Sequence, residues 1–315
     1  MRIVDNELVE STLVSTLIPV FNRATMLREA VASVLAQTYR PVEIVIIDDG
    51  SSDDTPRVAD ELSHVHAEIK VIHQANEGPG AAREAGRRIA RGEFIQHLDS
   101  DDVLEPRKFE LQVTQLNAHP ECGAAYGWTR FRRRDGSVQP TPWKRSGERM
   151  ETIFPSMLTM RWWDTPTPLY RASILAKAGP WTDLRVEEDW EYDCRLGALG
   201  VRLCHVDDWV CEVREHANPY TAPAALRDRA RAHLLMYEHA QTASLDPASP
   251  EMRFFARDLF HLARQCGAAD LANEARRLVT AARAIHDTPD LRGFALFARA
   301  FGWRRAALTA AWFKR

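Results

Sequence analysis

Between Leu13 and Leu98 four short runs rich in apolar and β-prone residues recur, LVSTLI, VEIVIID, IKVIH and EFIQHL, and each gap between them holds one helical stretch. VEIVIID, Val42 to Asp48, is almost continuously apolar. That is the pattern of a strand covered on both faces, which a parallel sheet requires. The first gap places Leu27, Val31, Val34 and Leu35 at helical spacing within Met26 to Gln37, and further helices are expected over Thr55 to Leu62 and Gly80 to Arg91. Strands alternating with helices build βαβ units with right-handed crossovers. The expected fold class is therefore α/β, a Rossmann-like, mostly parallel sheet flanked by helices. Open sheets of this kind bind ligands beyond the carboxyl ends of their strands. Four polar segments stand at that edge, PVFNR, DDGSSDD, QANEGPG and DSDD, and are expected to converge.

Past Pro106 a helix is expected to about Asn117, then a short strand over Cys122 to Trp128. RFRRRDGSVQPTPWKR has an Asp-Gly turn between polar arms and reads as a hairpin or loop. Trp162 to His216 mixes irregular and helical segments. Beyond Ala217 the stretches RDRARAHLLMYEHAQ, PEMRFFARDLFHLARQCG and ADLANEARRLVTAARA are successive amphipathic helices. The division expected is an α/β domain over residues 1–216 and an α-helical C-terminal appendage over 217–315.

A formal charge of −3 over 315 residues gives no basic excess of the kind polyanion binders show, so no nucleic-acid partner is expected. Five cysteines form no C-x-x-C pair and are odd in number, which suits a reducing compartment rather than a disulfide framework. MRIVDNELVE carries acids where a signal peptide needs a basic region, and no run of about 18 apolar residues follows. The expected location is cytoplasmic.

FIQHLDSDD sets Asp99, Asp101 and Asp102 at the end of a strand, where their mutual repulsion calls for a positive partner. A solvated turn is the plain alternative. An EF-hand fails, because Leu104 sits where that loop needs glycine and Pro106 interrupts it. A divalent-cation site remains, in which one or two carboxylates hold a hard ion whose other ligands are water and phosphate oxygens. NEGPGAAREAG puts glycines ahead of a helix, favouring close phosphate approach to its N-terminus, with Arg83 one turn in. Arg83 is either a phosphate or nucleoside contact or a structural helix arginine. It falls where G-x-G-x-x-G would need its third glycine, which argues against a dinucleotide site.

The stretch from STLIPVFNR to IIDDGSSDDT, followed by NEGPGAAREAG, GEFIQHLDSDD and EEDWEYDCRLGALG, resembles glycosyltransferase family 2, inverting nucleotide-sugar enzymes of GT-A fold, over roughly Ser11 to His216. The resemblance implies that Pro19, Phe21 and Arg23 line a nucleoside pocket, that Asp49 reads a uracil ring, and that Asp99 serves the ribose and metal region. It further implies that Asp101 coordinates Mn²⁺ or Mg²⁺, that Asp189 is the general base, and that His216 in VREHANPYT reaches the metal or diphosphate. Asp102 is assigned to capping the next segment. The implied reaction moves a sugar from a UDP-linked donor to a hydroxyl of a glycan or lipid-linked acceptor.

Taken without the resemblance, Glu187, Glu188 and Asp189 are dipole partners at a helix start, and a lone histidine such as His216 is a surface or core residue. Trp162, Trp163 and Trp181 either stack on a sugar or pack in the core. The tail, LRGFALFARAFGWRRAALTAAWFKR, mixes aromatics with arginines: it either lies peripherally in an anionic membrane interface at the inner face, or docks on the domain or on a second subunit of a homo-oligomer. Two rival functions are a nucleotidyltransferase and a non-catalytic nucleotide-sugar-binding module.

Overall fold

The computed structural model describes residues 3–4, 7–8, 12–215 and 223–309. The chain divides into two units. The first comprises Met1–Thr152, Trp162–Asp183 and Val201–His216, and the second Ile153–Arg161, Leu184–Gly200 and Ala217–Arg315.

In the first unit β1 (Ile3–Val4) and β2 (Glu7–Leu8) form a small antiparallel ladder. The chain then alternates through β3 (Val14–Val20), α1 (Ala24–Leu35), β4 (Val42–Asp49), α2 (Thr55–Val65), β5 (Ile69–Gln74), α3 (Pro79–Ile89) and β6 (Phe94–His97). After these come β7 (Val103–Leu104), α4 (Lys108–Ala118), β8 (Cys122–Arg132), β9 (Leu169–Arg171), α5 (Ala172–Ala178) and β10 (Arg202–Arg214). Eight strands pair in the order β5-β4-β3-β6-β9-β8-β10-β7. β5, β4, β3 and β6 are mutually parallel, as are β8 and β10, while β9 runs antiparallel to both β6 and β8.

Every residue of β3 and β4 is buried. The apolar side chains among them, Val14, Leu17, Ile18, Ile44, Val45, Ile46 and Ile47, each gain about 1.5–3 kcal/mol from leaving water. α1 covers one face with Leu27, Ala30, Val31 and Val34, the i, i+3, i+4, i+7 stripe of an amphipathic helix. Three acids are buried in β4, Glu43, Asp48 and Asp49. Glu43 accepts from Ser15 Oγ at 2.6 Å and from Arg91 N at 2.6 Å, and Lys70 Nζ lies 3.3 Å away. Burial pushes its carboxyl up, and these donors together pull it below the ordinary range.

β9 and the thirteen-residue β10 fall inside the stretch expected to be irregular and helical. β10 pairs with β8 in parallel, with register shifts either side of Trp209. Asp207 and Asp208 sit in that bulge and interrupt the apolar alternation on which a strand assignment depends.

The second unit contains α6 (Glu188–Ala198), α7 (Pro223–Thr242), α8 (Pro250–Ala268), α9 (Ala272–Ile285), α10 (Pro289–Phe301) and α11 (Trp303–Thr309). α8 and α10 start alike: Ser249 Oγ accepts from Met252 N and Thr288 Oγ1 from Leu291 N, both at 3.3 Å, and each cap is followed by proline. α8 buries Phe255, Leu259, Leu262, Ala263 and Cys266, and α9 buries Ala275, Leu278, Val279 and Ala282. The tail is two helices, because Gly302 at φ +91° ends α10. Among the described residues no helix is long and apolar enough to cross a membrane.

Candidate functional site

The loops leaving β3, β4, β5 and β6 emerge at one sheet edge and are tied to one another by side chains. Asn22, at φ +52°, donates its backbone N–H to Ser51 Oγ at 2.9 Å and accepts at Oδ1 from Ser52 N at 2.8 Å. Asp49 accepts at Oδ1 from Gln74 Nε2 (2.8 Å) and Glu77 N (2.9 Å), and at Oδ2 from Gly78 N (2.8 Å). It thus fixes the turn into α3, with about one of a carboxylate's four acceptor positions left over. Phe21 stands 47% exposed at the end of β3. Pro19 is buried within β3, opposite Ile47 in register.

Two arginines close on the acidic turn after β6. Arg83, 3% exposed, donates from Nη2 to Asp99 Oδ1 at 2.6 Å, and its guanidinium lies 4.8 Å from the centre of the Trp181 ring. Arg23 pairs with Asp101 through Nη1 and Oδ2, and its backbone N–H donates to Thr55 Oγ1 at 2.9 Å. Gly80, in the first turn of α3, is fixed by packing. A Cβ on Gly80 would lie 2.4 Å from Thr182 O, so no side chain fits there.

Asp102 does not cap the following segment. It is buried, and its Oδ1 accepts from Arg214 N at 3.1 Å, joining the turn to the end of β10. Burial, and then the charges of Asp101 and Asp99, push its carboxyl well above the ordinary range. Asp99 and Asp101 are two carboxylates on one turn, the number that a hard divalent cation takes from a protein, and each is paired with an arginine. Among the described residues no group of three or more His, Cys, Asp and Glu is arranged to enclose an ion. His216 lies outside the described residues.

Beneath this edge His97 is 2% exposed, with Trp181 at 5.1 Å and Tyr170 at 6.0 Å between ring centres and no hydrogen-bond partner on either ring nitrogen. Burial, with the nearby charges of Arg83 and Arg87, lowers its pKa to about 3, so the ring is neutral. Trp162 and Trp163 are fully buried and belong to the core. Trp181 supports Arg83.

Asp189 belongs to the second unit. It lies in the first turn of α6 with Glu188 and Glu191, where acids complement the helix dipole. Arg161 pairs with Asp189 through Nη1 and with Asp193 Oδ2 through Nε at 3.0 Å. Nothing in the sequence around RWWD singles out Arg161, because its partners are 28 and 32 residues away. Glu187, at φ +58°, precedes the helix and is held by Arg229 Nε at 2.8 Å and His233 Nδ1 at 3.1 Å.

Comparison with known proteins places this fold. EpsH of Bacillus subtilis is 45% identical over 97 residues, 31% of this chain and 28% of that one, so the match spans little more than a quarter of the relative's length. The S. aureus TarS structure in complex with UDP-GlcNAc has a TM-score of 0.70 at 19% identity, covering 96% of this chain and 93% of that one. The mannosyltransferase PcManGT from Pyrobaculum calidifontis, in complex with GDP-Man and Mn²⁺, has a TM-score of 0.54 at 16% identity, covering 98% and 89%. At such identities the structural likeness establishes the fold, the GT-A arrangement expected from the sequence. Residues 15–173, half of the chain, match the family model described as glycosyl transferase family 2, and the chain belongs to that family.

Proposed function

We propose that the chain transfers a sugar from a UDP-linked donor to a hydroxyl of a glycan or lipid-linked acceptor, with inversion at the anomeric carbon. The observation that carries this reading is the gathering of Phe21, Arg23, Asp49, Arg83, Asp99 and Asp101 on one sheet edge, with guanidiniums and carboxylates interleaved. A nucleoside diphosphate is a flat ring joined to a dense anion. An exposed aromatic face suits the first part, and two arginines, Arg83 buried and Arg23 exposed, suit the second. The UDP-GlcNAc complex of the TarS neighbour favours uridine over other bases.

In this reading Phe21 stacks the base and Asp49, already oriented by three donors, accepts from the uracil N–H. Pro19 lines the same pocket from within β3. Arg23 and Arg83 orient the diphosphate, and Asp99 meets the ribose. Mn²⁺ or Mg²⁺ would be held by Asp101 with Asp99, and when bound it offsets charge on the departing diphosphate. His216 is proposed to reach that metal or the diphosphate. Asp189 takes the acceptor hydroxyl proton as the oxygen attacks the anomeric carbon. The bond from that carbon to the phosphate oxygen breaks with its electron pair moving to the oxygen, and one displacement gives inversion. Residues 1–216 are proposed as the catalytic domain, with 217–315 as a helical appendage.

The test is product analysis with a panel of nucleotide sugars, a divalent cation and candidate hydroxyl acceptors. Release of nucleoside diphosphate with a product of inverted anomeric configuration is expected. Pyrophosphate would assign a nucleotidyltransferase instead, retained configuration would overturn the single displacement, and binding without release would leave a non-catalytic module.

A further inference from the structure

The apolar surface of α10 extends beyond the side that it buries. Leu291, Phe294 and Ala298 are buried, and Phe294 packs on Phe260 at 5.0 Å between ring centres. At 3.6 residues per turn Leu296 lies opposite that stripe and Phe297 and Phe301 along its flank, and the three are 68%, 38% and 56% exposed. Of the ten large apolar side chains exposed among the described residues, four lie between Leu296 and Leu308. Such a concentration is a docking surface rather than the scatter normal on a protein exterior. Phe297 and Phe301 meet at 4.7 Å between ring centres, so these two rings form one patch.

Charge decides what covers it. Arg292 and Arg299 stand two turns apart along one border of the patch, and Arg304 and Arg305 follow on α11, against Asp290 as the lone acid of both helices. Residues 217–315 hold 15 Lys and Arg against nine Asp and Glu in a chain whose formal charge is −3. A second copy docking across a two-fold axis would bring arginine borders together, since a two-fold contact is self-complementary. Anionic headgroups would neutralise them while acyl chains receive the aromatic face, the arrangement of a helix lying in a membrane interface.

We infer that α10 and α11 attach the chain peripherally to an anionic lipid bilayer, with Leu296, Phe297 and Phe301 inserted and the arginines at the headgroups. The inference does not rest on the transfer reading. The full chain is to be co-sedimented with phosphatidylcholine vesicles and with vesicles containing phosphatidylglycerol, at low and high salt. Binding is expected on the anionic vesicles, weakened by salt. Leu296→Ser with Phe301→Ser should reduce binding at least about tenfold, and Arg292→Gln with Arg299→Gln should lower it several-fold on anionic vesicles. Circular dichroism and light scattering on the same samples establish that the variants are folded monomers. Equal sedimentation with both lipids, no sedimentation with either, or a wild-type dimer that Phe301→Ser dissociates would each overturn the proposal.

Discussion

His233 makes the most exposed energetic claim of the second unit. Its ring is 1% exposed, with Nε2 2.9 Å from Asp258 Oδ2 and Nδ1 3.1 Å from Glu187 Oε2. Burial works against its charge, yet the two carboxylates outweigh it and raise the pKa to about 9. The unfolded chain has the ordinary value of about 6.5. The cation therefore contributes stability that is fully present below pH ~6.5 and is lost as pH rises through ~9, about 3 kcal/mol in all. Asp258 is 40% exposed, so solvent screening makes that figure an upper one. His233→Gln keeps a polar side chain but removes the titration. Urea unfolding of wild type and variant at a series of pH values isolates the term, with Trp190, 5.6 Å from the imidazole, as a local fluorophore. The stability gap should be widest near pH 6 and narrow by about 3 kcal/mol toward pH 10. A gap independent of pH, or a nuclear magnetic resonance titration placing His233 at or below its ordinary value, would refute the reasoning.

Lys108 runs the opposite way. It is fully buried, its Nζ donates to Thr167 O at 2.8 Å, and burial lowers its pKa to about 7. The unfolded state binds the extra proton between pH ~7 and ~10, so Lys108→Met should stabilise by up to ~4 kcal/mol below that window and by progressively less as pH rises through it. Thr167 O still accepts from Gln112 Nε2 at 3.0 Å, and a pH series of melting curves reads the trend. His97→Leu should stabilise by about 1–2 kcal/mol, since both ring nitrogens are buried without partners; denaturant unfolding checks it, and a loss would point to a partner. Asp189→Asn should leave UDP affinity unchanged and reduce turnover by at least about a hundredfold, measured by nucleoside diphosphate release.

The sequence carried the parallel half of the sheet well, because a strand buried on both faces is written as an unbroken apolar run, and β3 and β4 are wholly buried. The amphipathic helices were equally legible from spacing. β10 was not: Asp207 and Asp208 occupy a bulge whose existence depends on pairing with β8. The acidic turn was legible as a charge problem for which a divalent cation was the expected answer; the ion pairs of Asp99 with Arg83 and of Asp101 with Arg23 were not foreseen. Asp102 was misread, since a hydrogen bond from Arg214, 112 residues on, leaves no local trace. Arg161 escaped for the same reason, as a surface arginine and an arginine gripping two carboxylates look identical in one dimension. Gly80 was assigned to phosphate approach, whereas its first constraint is the backbone of Thr182.

The central claim is that the edge built by Phe21, Arg23, Asp49, Arg83, Asp99 and Asp101 receives a nucleoside diphosphate. Calorimetric titration of UDP into the wild-type chain and into Asp101→Asn, with and without Mn²⁺, tests it most directly. The account predicts binding that Mn²⁺ strengthens and that the substitution weakens at least about tenfold. Failure of the wild-type chain to bind UDP or any other nucleoside diphosphate, with the metal present, would contradict it.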